Sequence, residues 1–506
     1  MSLCLMLGSI KYLSNVIAFG LFPTVQCTMG LTVAKFGGIV VLLAILYSVT
    51  NKKQHGVNEK LPSILQSLKT AEKEFKLASP PRIALGFAAC VDIFVDAAAF
   101  LEAAKIPLPE SPKHHISTAT LEELSEIFAY VYTEGAAATR PMSNLTLYQE
   151  LIAIAEVVPG ARVSLGCVAP VMGNMLAKEG AKVLIGADID SKYKSFLRPG
   201  VSVVGDTDGH NIDVHIIMEY KTGDKWGKYQ AVRANRYAIH ADHIMPHVYG
   251  VEPLWKAYKE FKPDLVVVGD IHAMDNFPFK PGVRKARLGS VKSFLAETAS
   301  EGILNHFEFA SFVDRELLED IKENILPHVH SMGMNEQELP NMLSMVRFGK
   351  VTQVSDAYPE SAQVLDQLRM TYQLIRQKYG ILSRIHVHTL AFQAILTRKQ
   401  SPWRYSRAAA AHASLTATRY VSGNDQIQIE TSKLLMNNTF FTSLNADKAR
   451  RIDLHQSESA TCWEEIIDDD KVLICVAPNL VCTKVKQTCG AGDHISAAGL
   501  MYQIPV

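Results

Sequence analysis

From Pro81 onward the chain alternates short apolar runs with segments of helical periodicity, and this alternation limits the possible folds more than any other feature. The runs are RIALGF from 82, KVLIGA from 182, DVHIIMEY from 213, DLVVVGD from 264 and KVLICVAP from 471. A strand apolar along its length, not only at alternate residues, is buried on both faces, as in a mostly parallel sheet. Residues 121–132, 316–325 and 360–379 carry apolar side chains three and four apart with charges opposite, the pattern of helices that pack by one face. Such alternation predicts an α/β layered core. At 506 residues there is chain enough for that core and a smaller lobe, expected roughly within residues 97–241, where helix-like and strand-like pieces mix.

The first fifty residues are of another kind. Residues 36–49 (FGGIVVLLAILYSV) hold no charge, and lysines stand at 35, 52 and 53. The run is shorter than the ~20 apolar residues that span a bilayer, although residues 30–34 extend it if Lys35 snorkels. It reads as the core of a cleaved signal peptide or a retained anchor, followed by a polar linker. The expected organisation is an apolar segment over 1–50, a linker over 51–80 and a folded domain over 81–506. The expected location is the endoplasmic-reticulum lumen or outside the cell, with membrane contact only through the N-terminal segment. The sequons Asn144-Leu-Thr and Asn437-Asn-Thr are compatible with that route.

Lys plus Arg and Asp plus Glu both total 51, so no basic excess points to nucleic acid. The eight cysteines show no CxxC spacing and are too sparse for a disulfide scaffold or a zinc site. Cys482 and Cys489 are close enough to invite a disulfide, but apolar burial is the simpler expectation for each. No heptad seam or self-complementary patch argues for an oligomer, so a monomer is expected.

The most informative stretch is Thr488-Cys-Gly490-Ala491-Gly492-Asp493, followed by small residues to Gly499. The glycines let the backbone turn its N–H groups toward one point, and the small residues read as the first turns of a helix. That is an anion hole with the helix's partial positive charge behind it, suited to a phosphoryl group in transfer. Asp493 stands where it can take the proton of an attacking alcohol. By itself a Gly-x-Gly-Asp is weak evidence, since most such aspartates only cap a helix.

Three further segments follow in order: His306-Phe-Glu308, Asn335-Glu-Gln-Glu338 and Arg384-Ile-His386-Val-His388-Thr-Leu390. Together with Cys90-Val-Asp92, Glu219-Tyr220, Ala234-Asn235-Arg236 and Pro263-Asp-Leu-Val-Val, they make residues 81 to the C-terminus resemble the ADP-dependent sugar kinases, eukaryotic ADP-dependent glucokinases in particular. The resemblance implies a ribokinase-like core with a smaller lid lobe. It also implies transfer of the terminal phosphate of ADP to the 6-hydroxyl of glucose or a related sugar, giving AMP. In that reading Asp493 is the base and Gly490, Ala491 and Gly492 form the anion hole. His306, Glu308, Asn335 and Glu338 organise Mg²⁺ and its waters, Arg236 and Thr488 meet the nucleotide, and Asp92 and Gly166 belong to the sugar site. Hard oxygen ligands are what Mg²⁺ prefers. Read from the residues alone, Asn335 and Glu338 are a helix-capping pair. The RIHVHTL segment reads first as scaffold and second as nucleotide pocket.

The sugar site departs from the family pattern. Ala88 stands where the family has an asparagine, Thr139 where it has a glutamate, and Cys167-Val168 where it has a glycine followed by an amide. Three lost hydrogen bonds at ~1 kcal/mol if neutral and ~2 to 3 kcal/mol if charged come to roughly 4 kcal/mol. That is about a thousandfold. The alternative expectation is therefore a substrate-shifted or non-catalytic nucleotide-binding relative. A kinase for a phosphorylated sugar would need an additional basic anchor.

Overall fold

The computed structural model describes residues 60–505 apart from 136, 207–211, 311, 313, 352–358, 438 and 455–457. The apolar N-terminal segment lies outside the described residues, and among these no helix is long and apolar enough to cross a membrane.

The predicted runs become strands. β1 (Arg82–Gly86) leads into β2 (Cys90–Asp96), β3 (Ala138–Pro141), β4 (Arg162–Gly166), β5 (Lys182–Gly186), β6 (Val201–Val204), β7 (Asp213–Tyr220) and β8 (Asn235–His240). Then come β9 (Leu265–Val268), β10 (Leu304–Glu308), β11 (Ser331–Asn335), β12 (Arg384–His388), β13 (Phe392–Arg398), β14 (Thr461–Ile467) and β15 (Asp470–Pro478). The main sheet is ten-stranded in the order β14-β15-β13-β12-β11-β10-β9-β1-β5-β6. It is parallel from β6 through to β12 and antiparallel beyond. Strands such as β9 and β12 are buried at every residue, which is why their sequences are apolar throughout or, in β12, carry polar groups that must find partners. The helices expected over 121–132, 316–325 and 360–379 are Leu121–Glu134, Arg315–Asn324 and Ser361–Tyr379.

A second sheet has five strands in the order β3-β8-β7-β2-β4 and its own apolar core around Phe128, Tyr132, Ile216 and Tyr237. Its limits differ from the single insertion expected within 97–241. The small sheet starts at Cys90, and the chain returns to the main sheet for β5 and β6 before β7 and β8 complete the small one. The run DVHIIMEY, read as a core strand, belongs to this second sheet. Its apolar character comes from the helices that cover that sheet.

The linker expected over 51–80 is also shorter than the sequence suggested. Helix α1 (Leu61–Glu72) buries Leu61, Ile64, Leu65 and Leu68. Its Glu72 carboxylate accepts hydrogen bonds from His412 at 2.6 Å and Arg419 at 2.7 Å. The helices that matter for the site are α2 (Val168–Lys178), α3 (Glu338–Phe348), α4 (Ser406–Ser422) and α5 (Ala491–Met501).

The cysteines depart from expectation in one respect. Cys462 and Cys475 face each other across the β14–β15 hairpin and are joined as a disulfide. Cys482 and Cys489 are both free.

Candidate active site

A cavity of about 630 Å³ opens where the carboxyl ends of the main strands face the small sheet. Open α/β sheets place ligands at this end of the strands because the loops and helix N-termini converge there. Its lining includes Asp92, Arg236, Glu308, Asn335, Glu338, Thr488 and the whole Gly490–Asp493 turn. Residues some four hundred positions apart in sequence thus meet in one space.

The turn has the form the glycines predict. Gly490 caps α5 with φ at 74°, a left-handed conformation that strains a residue with a side chain, and Asp493 stands in the first turn of the helix. Gly492 lies against His388 so closely that an added Cβ would come 3.0 Å from the ring. Burial and the neighbouring carboxylates of Glu308 and Asp270 push the Asp493 carboxyl well above the ordinary range.

Facing this turn is a carboxylate cluster at the ends of β10 and β11. Glu308 accepts from Ser496 at 2.8 Å and pairs with His306 at 2.9 Å, while His388 lies 3.5 Å away. Burial alone would raise its pKa, but the two imidazoles hold it down to about 2. Glu338, without such donors, is pushed up to about 7 by burial. Asn335 and Glu338 cap one another as their spacing suggested. The Asn335 N–H donates to Glu338 at 2.9 Å, and the Asn335 side-chain oxygen accepts from the Glu338 N–H at 2.9 Å. Both also line the cavity, so the capping and ligand readings hold together.

His306 requires a correction. It is fully buried behind Glu308, with Nδ1 engaged by Ser331 at 2.9 Å and Nε2 by Glu308 at 2.9 Å. Neither nitrogen is left for a cation, so His306 positions Glu308 and does not ligate. The cluster does fit a divalent cation. Its donors are hard oxygens, and the raised Glu338 carboxyl beside ionised Glu308 is an acidic pair whose negative charges a cation would offset. The RIHVHTL segment divides: Arg384 and His386 are buried scaffold, with Arg384 donating to Gln503 and Ser331, whereas His388 reaches the cavity.

On the small-sheet side, Arg236 of β8 lines the cavity and enters no ion pair among the described residues. Thr488 lines both this cavity and a smaller one beside Arg162 and Glu219. Asp92 of β2 pairs in register with His215 of β7, and its Oδ1 is 3.4 Å from the imidazole Nδ1. Gly166 is not itself in the lining; it backs the Asp92 carboxylate.

This end of the cavity is sulfur-rich, and of the positions that depart from the family pattern Cys167 contributes to it. Ala88, Cys90, Cys167 and Met245 pack together, and the Cys167 and Cys90 sulfurs are 2.8 Å apart. Burial raises both thiol pKa values. Sequence reasoning missed His215, Asp270 and Glu336, which also line the cavity. Asp270 accepts from the Val168 N–H at 2.8 Å, capping α2, and burial pushes it up to about 7. Its only sequence signal was its place at the end of the DLVVVGD run, where α/β proteins put functional side chains.

The fold matches solved kinases. An ADP-dependent kinase in complex with fructose-6-phosphate and ADPβS superposes with a TM-score of 0.60, over 87% of this chain and 97% of that one, at 16% identity. A Pyrococcus horikoshii phosphofructokinase with AMP gives 0.58 over 84% and 98%, also at 16% identity. The architecture is therefore that of the ADP-dependent sugar kinases, with the α/β ribokinase-like core and smaller lobe expected above. The model of the ADP-specific phosphofructokinase/glucokinase conserved region matches residues 81–502, and the chain belongs to that family. The bovine (Bos taurus) ADP-dependent glucokinase is 30% identical over 431 residues, 83% of this chain and 84% of that one. A probable ADP-dependent glucokinase of Caenorhabditis elegans is 29% identical over 438 residues, with 83% and 84% covered.

Proposed function

We propose that this chain transfers the terminal phosphoryl group of ADP to the 6-hydroxyl of glucose or a related hexose, releasing AMP. The observation that carries this reading is the placement of Asp493 at a helix N-terminus, in one cavity with the Glu308–Glu338 cluster and Arg236. Asp493 takes the proton as the hydroxyl oxygen attacks the β-phosphorus, and the bond from that phosphorus to the bridging oxygen breaks with AMP as leaving group. A carboxyl whose pKa is raised binds that proton more readily than an ordinary aspartate. The first-turn N–H groups after Gly490 stabilise the charge on the moving phosphoryl. Arg236 offers a planar, permanently charged fork to the nucleotide phosphates. When bound, Mg²⁺ supplies charge neutralisation on the phosphate oxygens, with Glu308, Glu338 and Asn335 as the residues that would hold it or its waters. Asp92, backed by Gly166, orients the sugar.

A substrate-shifted or non-catalytic relative is the second reading. It draws support from the acceptor end, where Cys90, Cys167 and Met245, packed with Ala88, form an apolar, sulfur-lined wall. The two readings separate in one assay: AMP formation by the full-length protein with ADP and Mg²⁺, using glucose, other hexoses, fructose 6-phosphate or no acceptor. Glucose-dependent AMP supports the first. Activity with another acceptor alone, or nucleotide binding without AMP, supports the second.

We further propose a lumenal or secreted location. The Cys462–Cys475 disulfide supports it, because such bonds persist in oxidising compartments, as do the uncharged run at 36–49 and the exposed sequon residues Asn144 and Asn437. Protease protection and glycosidase-sensitive mobility of the protein in microsomes test it.

A further inference from the structure

The acceptor end of the cavity holds a second set of ligand atoms, softer than the carboxylate cluster. Cys90 and Asp92 lie on β2 with Sγ and Oδ1 3.6 Å apart, and His215 Nδ1 is 3.4 Å from the same oxygen. The ligand atoms of these three residues all lie within 4.8 Å of one another. Around a tetrahedral zinc ion, bonds of about 2.3 Å to sulfur and 2.0–2.1 Å to nitrogen or oxygen put neighbouring ligand atoms roughly 3.3–3.7 Å apart. The two observed separations fall in that interval. Cys167 Sγ, at the N-cap of α2, is 2.8 Å from Cys90 Sγ but outside that mutual group, so it joins as a fourth ligand only when its side chain turns toward the other three and its separation from Cys90 opens by roughly 1 Å.

The surroundings fit the same reading. The other nitrogen of His215, Nε2, is 2.8 Å from Asp242, which also holds His240 at 2.8 Å. A carboxylate behind the far nitrogen is how proteins fix the tautomer and aim of a metal-bound histidine. Cys90, Asp92, Cys167 and His215 all line the open cavity, so a cation reaches them from solvent. Two thiolates, an imidazole and a carboxylate select a borderline-soft ion over Mg²⁺.

We propose that Cys90, Cys167, Asp92 and His215 form a zinc-class divalent metal site at the acceptor end of the cavity, distinct from the Glu308–Glu338 cluster. Each thiol gives its proton to solvent as it ligates. The ion then holds the Asp92 carboxylate, so metal and hexose exclude one another; this consequence alone rests on the kinase reading.

Cobalt(II) tests the site without any turnover. Full-length protein, reduced with a phosphine, is titrated with Co²⁺ in excess Mg²⁺, which saturates the hard-oxygen cluster. The expected result is one Co²⁺ per chain, with a thiolate-to-cobalt charge-transfer band, intense tetrahedral visible bands, and displacement by Zn²⁺. Cys90→Ser and His215→Asn abolish the tetrahedral spectrum, Cys167→Ser weakens the charge-transfer band, and Cys482→Ser leaves both unchanged. Asp242→Asn, which removes the carboxylate shared by His215 and His240, weakens Co²⁺ affinity roughly ten- to hundredfold, whereas His240→Asn leaves it within about twofold. Unchanged melting temperatures of the near-isosteric serine variants show that they fold. Absence of the charge-transfer band in wild type, or its survival in Cys90→Ser, overturns the proposal. So does a Cys90–Cys167 disulfide that remains after reduction.

Discussion

Gly166 approaches Asp92 so closely that a Cβ on the glycine would lie 2.4 Å from the Asp92 Oδ2. The pairing of β2 with β4 sets that approach, with Asp92 opposite Ser164 and Cys90 opposite Gly166. Gly166→Ala therefore displaces the carboxylate while leaving its charge in place. Expected is a rise in the KM for hexose of roughly tenfold, about 1.4 kcal/mol, with ADP affinity unchanged. Steady-state kinetics varying each substrate checks it, and equal effects on both substrates would refute a sugar-side role.

Removing the proton acceptor should stop the chemistry without emptying the cavity. Asp493→Asn is expected to lower kcat by roughly 10² to 10⁴, the range for a general base, while ADP binding measured calorimetrically stays within about twofold of wild type, as befits a group acting only on the proton in flight.

Because His306 touches Glu308 and not the cavity, its loss should act through metal affinity. His306→Ala is expected to raise the Mg²⁺ concentration needed for half-maximal activity roughly ten- to hundredfold. Saturating Mg²⁺ should then recover most of kcat. His306→Asn, which keeps a donor, should fall between the two.

Glu338 gives the metal-free protein a pH dependence. Its folded pKa of about 7 lies above the ordinary glutamate value of 4.5, so the folded state binds its proton more tightly than the unfolded chain. The stability from this group is present in full below 4.5 and falls away as pH rises through about 7, by roughly 3 kcal/mol in all. Thermal melts in chelator should show that slope between these limits. Glu338→Gln should flatten it, and added Mg²⁺ should restore stability at the alkaline end.

The disulfide closes a short loop, with Cys462 and Cys475 at a sequence separation of 13. Cys462→Ser with Cys475→Ser is expected to cost about 3 kcal/mol of stability by the chain-entropy relation, read as a lower melting temperature. Activity at low temperature should survive, because neither cysteine lines the cavity.

What the sequence disclosed follows from the range of the forces involved. The Gly490–Asp493 turn was legible because an anion hole at a helix start is a local device, written in consecutive residues. The Glu308 and Asn335–Glu338 segments were legible by resemblance, and the same capping geometry the residues suggested turned out to sit in the cavity wall. His215 was not legible. It meets Asp92 only because β2 and β7 are paired in a particular parallel register, and nothing in either strand records that pairing. The disulfide lay between these cases. Counting outward from the Asp468-Asp469 turn puts Cys462 opposite Cys475, but only once the hairpin is assumed. The position of His306 behind Glu308 was not legible, because a motif gives membership of a cluster and not which side chain faces the cavity.

The chain passes between the two sheets after Gly86, after Gly166, after Val204 and after His240. The small sheet is thus stitched to the large one at four seams, and no single stretch of gene encodes it. Recombination cannot lift it out and set another in its place, as it can a lobe with one entrance and one exit. Changes in what such a protein accepts must accumulate by substitution at the strand ends. Positions 88, 139, 167 and 168, where this chain departs from the pattern it otherwise resembles, lie at or beside such strand ends.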